Sequence, residues 1–72
     1  MKVKNKIKIT VNGKQIQVIP NFSMKSLITN LKIPINKIAI ELNKKIIDKK
    51  RISKIYLQKD DKIEIVHFIG GG

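Results

Sequence analysis

From Ile7 to Val18 the apolar residues fall on alternate positions, odd before the dipeptide Asn12-Gly13 and even after it. Val3, Ile7, Ile9 and Val11 occupy odd positions while Lys2, Lys4, Lys6 and Lys8 occupy even ones, so a strand built from them has one dry and one wet face. Asn12 and Gly13 are the residue types that tolerate positive φ, which a two-residue type I′ turn requires. Ile16 and Val18 then resume the alternation as an antiparallel return strand, which Pro20 ends. A chain that begins this way is committed to a sheet with one buried face.

What must cover that face follows directly. Ser23 is a good N-cap, and Met24, Leu27, Ile28 and Leu31 lie at i, i+3, i+4 and i+7, laying one apolar stripe along a short helix. Phe22, just before the cap, is placed to close over Leu27. Pro34 stops the helix or follows its end, and Ile33-Pro34-Ile35 reads as an extended connection. Ile38, Ile40 and Leu42 alternate with Ala39 and Glu41 as a third strand, which Asn43-Lys44 turns into a short Ile46-Ile47 strand. From Asp48 to Lys54 the chain is charged and reads as irregular, with Ile52, Ile55 and Leu57 as plugs beneath a long loop. Asp60-Asp61 forms a turn before a last alternating strand that begins at Lys62-Ile63-Glu64-Ile65.

This order of elements predicts an α+β domain with a small mixed sheet and one main helix across one face. A right-handed crossover places the last strand beside the first and parallel to it. Seventy-two residues make a single domain that buries about 60% of its unfolded surface, and without cysteine neither a disulfide nor a thiolate metal site can reinforce it. Burial of its many isoleucines must do so instead. The expected organisation is a domain over residues 1–69 and a flexible tail over 70–72.

That tail carries the functional signal. After Ile65 the sequence runs Val66-His67-Phe68-Ile69-Gly70-Gly71-Gly72, an apolar strand passing into glycines with no polar linker between. Three glycines cannot pack and gain nothing from being ordered. A backbone without Cβ atoms can, however, thread a narrow channel in another protein. The α-carboxylate of Gly72 is therefore expected to be the working group, with Gly70, Gly71 and Gly72 as the threading segment. Continuing the alternation, His67 is expected on the inward face as a satisfied structural residue. Val66 and Phe68 point away from the helix and, with Ile69, are expected to form a docking patch.

Other chemistries find little support. One histidine without a partner is no acid-base device, no cysteine or ligand cluster supports metal binding, and the glycines open no helix that could cradle phosphate. The net charge of +11 would attract polyanions. Phe22, Tyr56 and Phe68, the only aromatic residues, are too scattered for a base-stacking platform, so a small nucleic-acid-binding module is a weaker reading. The lysines of the first strand and Lys44-Lys45 with Lys49-Lys50-Arg51 read as solvated surface. No apolar run approaches a membrane span and no secretory pattern follows the lysine-rich start, so a soluble, intracellular monomer is expected.

The segments "VNGK" at 11–14, "SMKSLI" at 23–28, "IAIELN" at 38–43 and above all "LQKDDK" followed by "IEIVHFIGGG" at 63–72 resemble the ubiquitin-like β-grasp superfamily, and within it the ThiS-type sulfur carriers of thiamin thiazole biosynthesis. Lys44 and Lys59 stand in turns where that family often has glycine. The resemblance implies a carrier and co-substrate without catalytic residues or a cofactor of its own. An adenylyltransferase related to ubiquitin-activating enzymes (ThiF-like) would use ATP to adenylate the Gly72 carboxylate. A sulfur donor such as a cysteine desulfurase would supply the sulfur of a Gly72 thiocarboxylate, and a thiazole synthase (ThiG-like) would receive it. The location implied is the cytoplasm or the stroma of an organelle of bacterial descent. A carrier for molybdopterin synthase, or a ubiquitin-like modifier, would use the same activated end; "VHFIGGG" favours the thiazole system.

Overall fold

Asn12 and Gly13 adopt φ angles of 50° and 83°, the left-handed pair that lets two antiparallel strands turn without losing their twist. In this computed structural model, which describes residues 5–67, they join β1 (Ile7–Val11) to β2 (Lys14–Val18). Ile9 pairs with Ile16 and Ile7 with Val18, so the alternation read from the sequence puts one apolar face of the hairpin on the core.

The helix α1 (Met24–Leu31) starts where expected: Ser23 is extended and its side chain accepts from the Ser26 N–H at 3.0 Å. Its end differs. Lys32 takes the left-handed conformation at φ 59° and donates its N–H to the Ile28 and Thr29 carbonyls, closing the helix two residues before Pro34. Met24, Leu27 and Ile28 are buried, whereas Leu31 is 42% exposed. Pro34 is extended, as expected of Ile33-Pro34-Ile35, but Ile35 already opens a 3-10 turn, Ile35–Lys37. Lys49 reaches across to this turn, its Nζ donating to the carbonyls of Ile35 at 3.1 Å and Ile38 at 2.6 Å.

β3 (Ile38–Leu42) leads through Asn43 and Lys44, both left-handed at φ 52° and 73°, into β4, which is Lys45–Ile46 and so begins one residue earlier than Ile46-Ile47. The segment expected to be irregular is a second 3-10 turn, Lys49–Lys54. Asp48 caps it by accepting from the Lys50 N–H at 2.9 Å, and Ile52 pins it to the core. Lys50, Arg51 and Lys54 are exposed, which is why no helical stripe is visible in the sequence, whereas Lys49, read as solvated surface, is half-buried because its ammonium serves the Ile35 and Ile38 carbonyls. Ile52 and Leu57 are buried and Ile55 packs against them, as the plug reading requires. Met24 N donates to the Ile55 carbonyl and Leu57 N to the Phe22 carbonyl, both at 2.8 Å, so this segment also holds the start of α1.

β5 (Lys62–His67) completes a five-stranded sheet of order β2-β1-β5-β3-β4. It lies parallel to β1 and antiparallel to β3, the predicted crossover. Ile9, Ile38, Ile40, Ile63, Met24 and Leu57 form the fully buried centre of the core between sheet and helix. Among the described residues no helix is long and apolar enough to cross a membrane.

The entry to β5 is held by polar atoms. The carboxylate of Asp61, a buried residue, accepts from the Gln58 N–H at 2.7 Å and from the Asn43 side-chain amide at 3.0 Å. Asn43 Oδ1 in turn accepts from the Lys62 N–H at 2.9 Å. The positive φ in this neighbourhood belongs to Asp60, at 69°, and not to Lys59.

Two stability changes are expected. Lys44→Gly relieves a side chain held at φ 73° and should raise stability by about 1 kcal/mol in urea unfolding. Asp61→Ala strands the Gln58 N–H and the Asn43 amide and should lower it by about 1–3 kcal/mol in the same measurement.

Candidate functional site: the end of β5

Backbone direction along β5 alternates, and the hydrogen bonds show which way each residue points. Lys62 faces β3, its carbonyl accepting from Asn43 N at 2.8 Å and its N–H donating to the Asn43 side chain. Glu64 and Val66 follow the same parity, opposite Glu41 and Ala39. The odd residues face β1: the Asp61 carbonyl accepts from Thr10 N and the Ile63 carbonyl from Asn12 N, each at 2.9 Å. One step further, the Ile65 N–H donates to Asn12 Oδ1 at 2.7 Å. The side chain of the hairpin turn thus anchors the strand from which the expected tail departs.

Val66 is 55% exposed, on the face of the sheet away from α1. Ile46, 77% exposed, lies opposite Glu41 and shares that face. Glu41 and Glu64 stand directly across from each other there, an arrangement of like charges that costs stability. Sequence reasoning did not single out Ile46. In Ile46-Ile47 two adjacent isoleucines occupy a strand end, one of which must point outward, but identical residues hide which.

His67 corrects the expectation of an inward, satisfied residue. It sits opposite Ile38 on the helix side of the sheet, yet is exposed. The β1 ladder ends at Val11 opposite Ile63, so among the described residues no strand flanks His67 on that side. Phe68, Ile69, Gly70, Gly71 and Gly72, the remaining candidate site residues, lie outside the described residues. Among the described residues no group of three or more His, Cys, Asp or Glu side chains could hold a metal ion.

Comparison with known proteins bears on both the fold and the glycine end. The chain is 36% identical over 66 residues to a thiazole synthase from Magnetococcus marinus, covering 92% of this chain but only 20% of that protein. It is 34% identical over 65 residues to the sulfur carrier protein ThiS of Bacillus subtilis, covering 89% of this chain and 98% of that one. Its fold matches the crystal structure of a thiamine biosynthesis protein (ThiS) from Geobacter metallireducens with a TM-score of 0.77 at 26% identity, over 92% of this chain and all of that one. The mixed sheet and single main helix are therefore those of the β-grasp. Because residues 8–72, from within β1 through the last glycine, match the ThiS family, the chain belongs to that family.

Proposed function

We propose that this chain is a sulfur carrier for thiazole formation and acts as a co-substrate of partner enzymes. The observation that carries the reading is that the family match runs on through Gly72, beyond a central strand whose outer half is anchored by Asn12. A rigid strand followed by residues without side chains suits a group that must be presented inside another protein's active site. The relationship to the Bacillus subtilis carrier supports the sulfur role. The Magnetococcus marinus thiazole synthase contains a segment similar to this chain, which supports a thiazole synthase as the acceptor.

In this reading Gly72 bears a free carboxylate. A carboxylate oxygen attacks the α-phosphorus of ATP on an adenylyltransferase, pyrophosphate leaves, and an acyl adenylate forms. Hydrosulfide, released when an external thiol reduces the persulfide of a donor such as a cysteine desulfurase and is itself oxidised to a disulfide, attacks the carbonyl carbon and expels AMP. The resulting thiocarboxylate is ionised near neutral pH and carries nucleophilic sulfur to the forming ring. Gly70 and Gly71 thread the partner's channel, while Val66, Phe68 and Ile69 dock against its surface. Ile46, on the same face as Val66, extends that surface. The setting proposed is a cytoplasm or the stroma of an organelle of bacterial descent.

Incubating the full chain with a ThiF-like adenylyltransferase, ATP and sulfide should produce a mass gain equal to exchange of one oxygen for one sulfur, located by fragmentation at Gly72. Appending a residue after Gly72 should abolish that gain while leaving thermal unfolding unchanged; an undiminished gain would refute the proposal. Val66→Asp should lower kcat/KM for adenylation by about tenfold with little change in stability, since an exposed position loses partner contacts and not core packing.

A further inference from the structure

β5 outlasts its neighbour on one side only. β1 pairs with it at Thr10↔Lys62 and Val11↔Ile63 and then turns away, whereas β3 accompanies it as far as His67. On the abandoned edge the Ile65 N–H is taken by Asn12 Oδ1. By the alternation established above, the Ile65 carbonyl and the His67 N–H point the same way, and neither has a partner among the described residues. Backbone groups left open along an extended strand are a template for another strand. The Asn12 side chain occupies the place that the first residue of such a strand would continue from.

The space beside this edge has a definite chemistry. An open groove of about 330 Å³ lies between the hairpin and the end of α1, lined by Ile16, Leu31, Ile33 and Ile65, with Asn12 beside it. Lys14 is its one charged lining residue, and no carboxylate lines it. Leu31 belongs to the apolar stripe of α1 yet remains 42% exposed here, a large side chain the core does not use.

We propose that this edge and groove together receive an extended segment of a partner protein, which adds to the sheet alongside Ile65 and His67. The segment places a large apolar side chain against Leu31 and Ile33 and a carboxylate near Lys14. Main-chain bonds supply affinity and the groove supplies selectivity, as in other strand-addition complexes. Charge complementarity selects the occupant: a net charge of +11 and a cationic rim favour an acidic segment and oppose a second copy of the same chain. The proposal does not depend on the sulfur-carrier reading, since it requires only the edge and the groove.

The test is a titration of the 15N-labelled full chain with a short synthetic peptide of alternating valine and glutamate. A second titration uses the same peptide N-methylated on alternate residues, which removes its pairing donors and keeps its side chains. The expected result is saturable shifts at the amides of Ile65, His67, Leu31 and Ile33, slowed hydrogen exchange at His67, and affinity weakened about tenfold by N-methylation. Leu31→Lys, at an exposed position that leaves the core intact, should weaken binding to a similar degree. Absence of saturable shifts, equal binding of the methylated peptide, shifts centred on Val66 and Ile46 instead, or self-association through these residues without peptide would each overturn it.

Discussion

The strand that carries the candidate site is also the centre of the sheet. β5 is bonded to β1 on one side and β3 on the other, and its Ile63 and Ile65 contribute to the core. The first and last strands of the domain are thus partners, and the fold cannot close until the two ends of the chain have met. Such pairing is slow to form, because the loop entropy is lost before the contacts are gained. In return the segment leading to the expected tail is held from both sides at its root.

Two asparagines do much of that holding. Asn12 and Asn43 sit at equivalent places in the two hairpin turns, both left-handed, and each extends its side-chain oxygen to a β5 N–H: Ile65 from the β1 side and Lys62 from the β3 side. Asparagine suits both demands, since it tolerates positive φ and carries an acceptor. Gly13 is the only described glycine at positive φ, while six non-glycine residues, including Lys32 and Lys44, adopt it. A lysine- and asparagine-rich composition has therefore met its turn requirements partly with residues that suit them, and partly, at Lys32 and Lys44, with residues that do not.

The same central strand presents different chemistry to its two faces and its free edge. Away from the helix, Val66 and Ile46 lie exposed with Glu41 and Glu64 on the same face, two of only five acidic residues in the chain. Along the edge beyond Ile63, the Ile65 carbonyl and the His67 N–H, without a partner among the described residues, lie beside an apolar groove with a lysine at its rim. A docking surface on the face and strand addition at the edge do not compete for the same atoms, so both could operate while the tail is engaged.

Local rules were enough for the β1–β2 hairpin, the Ser23 cap, the long strands β3 and β5 and the outward direction of Val66, because period two, period 3.6 and turn chemistry are set by neighbouring residues. The ThiS-like ending was legible for the same reason: it is a contiguous string. What depended on residues far apart in sequence was not. The charged stretch Lys49–Lys54 forms a 3-10 turn because Ile52 finds a core to enter. His67 is exposed because β1 stops short of it, and Leu31 because its end of the helix stripe is not needed to cover the core. The outward Ile46 and the free edge of β5 likewise depend on where partner strands end, and no pattern along a single segment records the length of its neighbour. The amino-acid order determined which strands and main helix form and the family likeness of the glycine end; tertiary packing decided which of their faces and edges were left uncovered.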